Sequence, residues 1–442
     1  MKDKSLLLAK KILRQELISG SVYIFIGSIF ANIFNLFFNL FMSRNLAVEE
    51  YGIFTSSISL VMLIAIPVGS ITPTVVSFAG SRFAKEDYGS VKALFLKITK
   101  PLLIIGVVIF FCFVIFARYI GDFFHIEDKS IIVIAGFIAA MAYIGAVNSG
   151  LLQARLAFKF ISFSNFISTL SKLLIGVVLV FWGLSVKGAM LAVFISGVIP
   201  LILSFIYLRF VFLSNANNSN KLRFKNLLSY GLPSSLATLG MASLISTDIL
   251  LVKHFFDPLS AGIYAGLSLV GKVIFFFTAP IGSVMFPLIV KKYARNESYN
   301  NIFKLAIALV FVPSILISIF YFLYPDISIS FFIKNEIYLS ASGILGLFGI
   351  FIATYSLISL FVYYFLSIKK TKVYIPVILG AISQILLIIF YHDRLFTIVV
   401  ISLVISLILL AMLVIYYLKI YREYKKINKE TIIIGKEGGI TY

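Results

Sequence analysis

The chain has 442 residues, of which 61% are hydrophobic and 13% charged, and its mean hydropathy is +1.06. Soluble domains average about 25% charged residues, so this composition excludes that class and describes a polytopic membrane protein. The excess of 38 Lys and Arg over 18 Asp and Glu reads as topology, because cytoplasmic loops collect cations; the sequence offers no basic soluble module for nucleic acid.

The first segment, Met1 to Glu16, splits its leucines with Lys10, Lys11 and Arg14 and has no small-residue cleavage site, so it is not a cleavable signal. Its pattern suits a short basic amphipathic helix lying on an anionic inner leaflet. Apolar runs long enough to span follow at about 18–42, 52–78, 100–118, 131–151, 161–183 and 188–210. Six more follow at about 228–252, 260–289, 303–324, 339–366, 373–391 and 396–418. Twelve transmembrane helices are therefore expected. Pro67, Pro73, Pro280 and Pro287 should bend their helices rather than end them.

Alternate connections, together with both ends of the chain, hold 29 of the 38 basic residues; the opposite set holds seven, namely Arg44, Arg118, Lys129, Lys187, Lys253, Lys334 and Arg394. The cation-rich side is cytoplasmic, and so are both termini. Outer loops are short, with no room for an external catalytic domain, and no enzymatic activity is expected. Cys112, the single cysteine, lies in an apolar run and reads as a small buried side chain.

The polar stretch Ser214 to Asn226 divides the chain into two six-helix halves: a first bundle over 1–211, a linker over 212–226, a second bundle over 227–420 and a basic tail over 421–442. The halves repeat each other. EEYGIF (49–54), IPVGSITP (66–73) and SRFAKEDY (81–88) correspond to LSAGIY (259–264), APIGSVMFP (279–287) and KKYARNESY (291–299), at an offset near 210 residues. This pairs Gly52 with Gly262. With an even number of spans in each half, the repeats are parallel, related by a pseudo-twofold axis along the membrane normal, with a central cleft between them.

Three ionisable residues lie inside spans: Lys172, Asp248 and Lys272. An ammonium near the bilayer centre costs about 3 kcal/mol on insertion scales unless it faces protein or water, so Lys272 is expected to face the interior. The structural alternative is an Asp248–Lys272 ion pair, although their depths differ by about 12 Å at roughly 1.5 Å per residue. The functional alternative is a cationic cleft, with Lys172 and Lys272 at mid-membrane, that suits an anionic headgroup such as a diphosphate. Arg44 either extends that field or snorkels to the interface. Asn35, Asn39, Asn148, Gln153, Asn165 and Gln384 either bond sugars or hold helices together. GLSLVGKV (266–273) has the spacing of a phosphate loop, but Val273 stands where a Ser or Thr would hold magnesium, and the segment is a membrane helix. His125, His254 and His392 lack close metal-ligand spacing.

SRNLAVEEYGIFTSSISLV (43–61), TDILLVKHFFDPLSAGIY (247–264) and the six-plus-six layout resemble the polysaccharide biosynthesis, or Wzx-type O-antigen flippase, branch of the multidrug/oligosaccharidyl-lipid/polysaccharide exporter superfamily. The resemblance implies a V-shaped pair of bundles in the bacterial cytoplasmic (inner) membrane. Such a protein moves an undecaprenyl-diphosphate-linked oligosaccharide outward by alternating access, beside a polysaccharide polymerase and other assembly proteins. Charged cavity residues are implied, here Lys172, Asp248 and Lys272, where related lipid II flippases carry arginines. No cofactor is implied; Asp248 is the candidate for proton or sodium coupling. A multidrug antiporter of the same superfamily remains an alternative, as does a polytopic polymerase or ligase.

Overall fold

The computed structural model describes residues 26–83, 85–215, 225–294 and 297–437. The amphipathic segment expected over 1–16 and most of the expected linker lie outside these residues. No strand occurs among the described residues.

The first half opens with α1 (Ile26–Asn45). Next come α2 (Val48–Ala65), a 3-10 turn (Ile66–Ser70), α3 (Ile71–Phe83), α4 (Tyr88–Ile115), the short α5 (Ala117–Phe124), α6 (Lys129–Ala154), α7 (Phe158–Leu179), α8 (Ser185–Tyr207) and α9 (Arg209–Leu213). The second half follows the same order with α10 (Lys225–Phe255), α11 (Pro258–Ala294), α12 (Asn300–Leu323), the short α13 (Pro325–Phe332), α14 (Ser342–Ser367), α15 (Tyr374–Phe390) and α16 (Leu395–Glu437).

Eleven described helical stretches are long and apolar enough to span a bilayer. The longest, Phe158–Tyr207, has 50 residues and contains two crossings. The backbone leaves the helical region at Gly183 (φ 83°) and Ser185 (φ 44°), and α7 and α8 pack against each other on either side of this turn. Dividing it gives the twelve crossings expected from the hydropathy. Left-handed φ is costly for a residue with a Cβ, so Gly183 is the natural pivot.

The proline expectations separate. Pro67 begins the 3-10 turn that interrupts the first half's second crossing, since proline supplies no N–H and crowds the preceding helical turn. Its counterpart α11 continues through both Pro280 and Pro287. Cys112 corrects its expectation: it is exposed on α4, not buried, beside exposed Val108, Phe111 and Ile115. A thiol behaves as a small hydrophobe, and that serves a lipid-facing helix surface as well as a core.

The two bundles meet through α2, α10 and α11. Leu250, Ala265 and Leu269 of the second half join the core of the first, built around Phe38, Met42, Tyr51 and Phe54. Val48 of the first half joins the core of the second. Gly52 and Gly262, paired by the sequence repeat, touch at this seam. A Cβ on Gly52 would stand 3.0 Å from the Gly262 Cα, and one on Gly262 would stand 2.0 Å from the Val48 carbonyl oxygen. Repeat-equivalent residues meeting each other is the signature of a twofold axis running between them, and only glycine permits backbones this close.

Candidate functional site

Beyond the glycine contact the helices diverge around a cavity of about 420 Å³. Its walls are α1 (Asn35, Asn39), α2 (Tyr51, Thr55, Ser59, Met62), α10 (Ile245, Ser246, Ile249), α11 (Ser268, Lys272, Phe275, Phe276) and Tyr355 of α14. Both halves contribute, and Lys272 is the one charged side chain in the described lining. On α11, Ala265, Ser268, Leu269, Lys272 and Phe276 recur at helical spacing and so share one face, which explains why this lysine points inward. Ser246 of α10 and Met62 of α2 approach to 3.7 Å between Oγ and Sδ, linking the halves at mid-depth.

Asn39 stands on the cavity wall and donates to the Asn35 carbonyl oxygen at 2.8 Å. Lys172 stands one layer back: its ammonium donates to the Asn35 side-chain oxygen and lies 4.7 Å from the centre of the Phe38 ring. Lys172 is thus held by the polar wall rather than placed on it.

Asp248 is 0% exposed and lies behind Ile245 and Ile249. The Tyr264 hydroxyl donates to its Oδ2 at 2.8 Å, and its Oδ1 has no partner. Asp248 and Lys272 make no direct salt bridge, in keeping with their different depths. Cavity, Lys272, Asp248 and Tyr264 therefore form successive layers from the space between the halves into the second bundle.

Two expected cleft residues lie elsewhere. Gln384, 0% exposed on α15, donates to the Leu244 carbonyl oxygen at 3.2 Å and to Ser402 Oγ at 2.8 Å. It joins α15 to α10 and α16, because an amide in an apolar bundle seeks partners on its neighbours. Arg44 is exposed and does not line the cavity. Its Nε and one terminal nitrogen donate at 2.8 and 2.7 Å to the carbonyl oxygens of Phe332 and Phe331 at the end of α13, clamping the halves together. The end of a helix exposes unsatisfied carbonyls that suit a cation. Two histidines strengthen the same closure. His254 stacks on Phe123 with ring centres 3.7 Å apart and contacts its carbonyl at 2.7 Å, and His125 reaches the Lys253 carbonyl at 3.4 Å. No metal-holding group of acidic, His or Cys side chains occurs among the described residues.

Sequence reasoning missed Lys253. Counted as an outer-loop cation, it is 1% exposed within the last turn of α10, and its ammonium has no hydrogen-bond partner. It also missed Thr55 and Ser59 as cavity residues; their spacing on one helical face with Met62 was the available signal.

Two six-helix bundles around a shared cavity define a class of polytopic membrane protein by its fold. The solved structures bear this out: an inward-facing multidrug resistance MATE family transporter of the MOP superfamily aligns with TM-score 0.65 and 16% identity over 89% of this chain and 96% of that one. An outward-facing MATE family transporter of that superfamily gives 0.64 and 15% over 93% and 96%, and a MATE in the straight conformation 0.63 and 15% over 92% and 96%. At such identity the likeness is one of fold. No curated protein matches the chain significantly. The polysaccharide biosynthesis protein family matches residues 17–293, and the chain belongs to that family.

Proposed function

We propose that the protein is a flippase that carries an undecaprenyl-diphosphate-linked oligosaccharide across the bacterial cytoplasmic membrane, from the inner to the outer leaflet, by alternating access. The carrying observation is the lone cation, Lys272, on the wall of a cavity shared by both halves and otherwise lined by hydroxyls, amides and apolar groups. Stripping water from a diphosphate is unfavourable unless cations and donors replace it; Lys272 supplies the charge, and Asn39, Thr55 and Ser59 supply hydrogen bonds. Lys172 reinforces the field from behind Asn35. The cavity volume is within the roughly 300–1,000 Å³ of small-molecule sites. It suits a diphosphate with its first sugar, and the remaining glycan enters as the halves part while the polyprenyl tail stays in lipid.

Asp248, buried with one free carboxylate oxygen beside Lys272, is the candidate for coupling to a proton or sodium ion. The same carboxylate favours the second reading, a cation antiporter like the multidrug transporters that share the fold. The decisive difference is the sign of the cargo. Complementation of a strain lacking its own flippase tests it: wild type should restore surface polysaccharide, and Lys272→Ala at matched membrane level should accumulate the lipid-linked unit inside. Restored drug efflux without restored polysaccharide would overturn the proposal.

A further inference from the structure

A second cavity, of about 520 Å³, lies at the outer face where the halves meet. The ends of α2 and α10 wall one side, with Glu49 and Lys253, and the α5–α6 connection and the start of α8 wall the other, with His125, Glu127, Asp128 and Lys187. Gly183 and Leu184 complete the rim.

Some of these charges are already satisfied. Lys187 pairs with Asp128 at 2.6 Å, and the Asp128 Oδ1 also accepts from the Ser130 backbone N–H and hydroxyl at 3.0 and 2.6 Å. Three groups remain open: no described protein group hydrogen-bonds the Glu49 or Glu127 carboxylate, and the buried Lys253 ammonium has no acceptor. An unpartnered buried polar group is costly unless something else satisfies it. The ligand chemistry follows from the mixture. An anion would satisfy Lys253 but meet Glu49, Glu127 and Asp128; a cation would meet Lys253. A neutral ligand dense in hydroxyls fits both, accepting from the ammonium and donating to the carboxylates.

We propose that this outer cavity is a binding site for neutral carbohydrate, separate from the central cavity, in which Lys253, Glu49 and Glu127 hold sugar hydroxyls. It deepens the flippase reading by giving the glycan a receiving site on the outer side, and it rests on that reading for its physiological meaning; the binding itself does not.

The test is saturation-transfer NMR on the full chain in lipid nanodiscs free of sugar-headed detergent, with maltotriose and chitotriose as neutral probes and a galacturonic acid trimer as the anionic one. At least one neutral trisaccharide should bind saturably, tenfold more weakly in Lys253→Met and in Glu49→Gln, unchanged in Lys272→Ala, and better than the acidic trimer. Lys253→Met removes a buried unpaired charge while keeping the chain's length, so it should fold; Glu49→Gln guards against a purely steric effect. Absence of saturable binding by either neutral probe, equal binding in both outer-site variants, equal binding of the acidic trimer, or loss of binding in Lys272→Ala would each overturn the proposal. Sugar binding that persists in a chain unable to complement a flippase-deficient strain would defeat the transport reading alone.

Discussion

Two lysines 19 positions apart in sequence sit in opposite circumstances. Lys272 opens onto a cavity lined by hydroxyls, whereas Lys253 is enclosed without an acceptor. Their substitutions should therefore diverge. Lys253→Met removes an unsatisfied buried ammonium, which costs about 1–3 kcal/mol, so the thermal midpoint of the purified protein should rise; a fall would mean that the ammonium is satisfied after all. Lys272→Ala should leave the midpoint nearly unchanged and cost transport at least about tenfold, as expected for losing a charge-assisted hydrogen bond of about 1.5–3 kcal/mol. Asp248→Asn keeps the acceptor for the Tyr264 hydroxyl but removes the charge, so transport should lose its dependence on the ion gradient while the fold persists. A transport rate in proteoliposomes that responds to the gradient as in wild type would remove Asp248 from the coupling role.

At the scale of elements, the seam between α2 and α11 depends on the glycine pair. Gly262→Ala would place a carbon 2.0 Å from the Val48 carbonyl oxygen, with backbone rather than a flexible side chain in the way, so the two helices must separate at this contact. In a Cys112→Ala background, Val48→Cys, at a position buried in the closed seam, should react with a water-soluble maleimide once Gly262 is replaced by Ala; continued protection would show that the seam stays closed without the glycine. The staple between the α6 and α8 ends responds to pH. Partial burial pushes the Asp128 carboxyl up, but the Lys187 ammonium and the Ser130 hydrogen bonds outweigh it and hold its pKa below the usual carboxylate range. A depressed carboxylate stabilises above its unfolded value near 4 and loses that contribution as pH falls through the folded value. The pair is 45% and 39% exposed, so solvent screening limits it to less than about 1 kcal/mol. Asp128→Asn should lower stability slightly at pH 7 and leave it unchanged relative to wild type at pH 2, measured by thermal melts at the two values.

For the whole molecule, the twelve crossings, the repeat and the inward-facing Lys272 were legible because each depends on local signals: apolar length, block similarity and helical spacing. Gly52 and Gly262 show how far such signals reach, since the repeat pairs them and the fold brings them into contact. Arg44 and Gln384 were misplaced because their partners lie 287 and 140 positions away along the chain, at Phe331 and Leu244. Charge counting by loop cannot see that a lysine at a helix end is covered by the other bundle. If the shared cavity carries a polyprenyl-diphosphate headgroup on Lys272, as proposed, the protein moves an undecaprenyl-diphosphate-linked sugar across the bilayer, and proteoliposomes read that movement. Wild type should move it, Lys272→Arg should retain most of that movement, and Lys272→Ala should lose it. Equal movement by wild type and Lys272→Ala would contradict it, as would a wild-type protein that moves lipophilic cations but not the lipid-linked sugar.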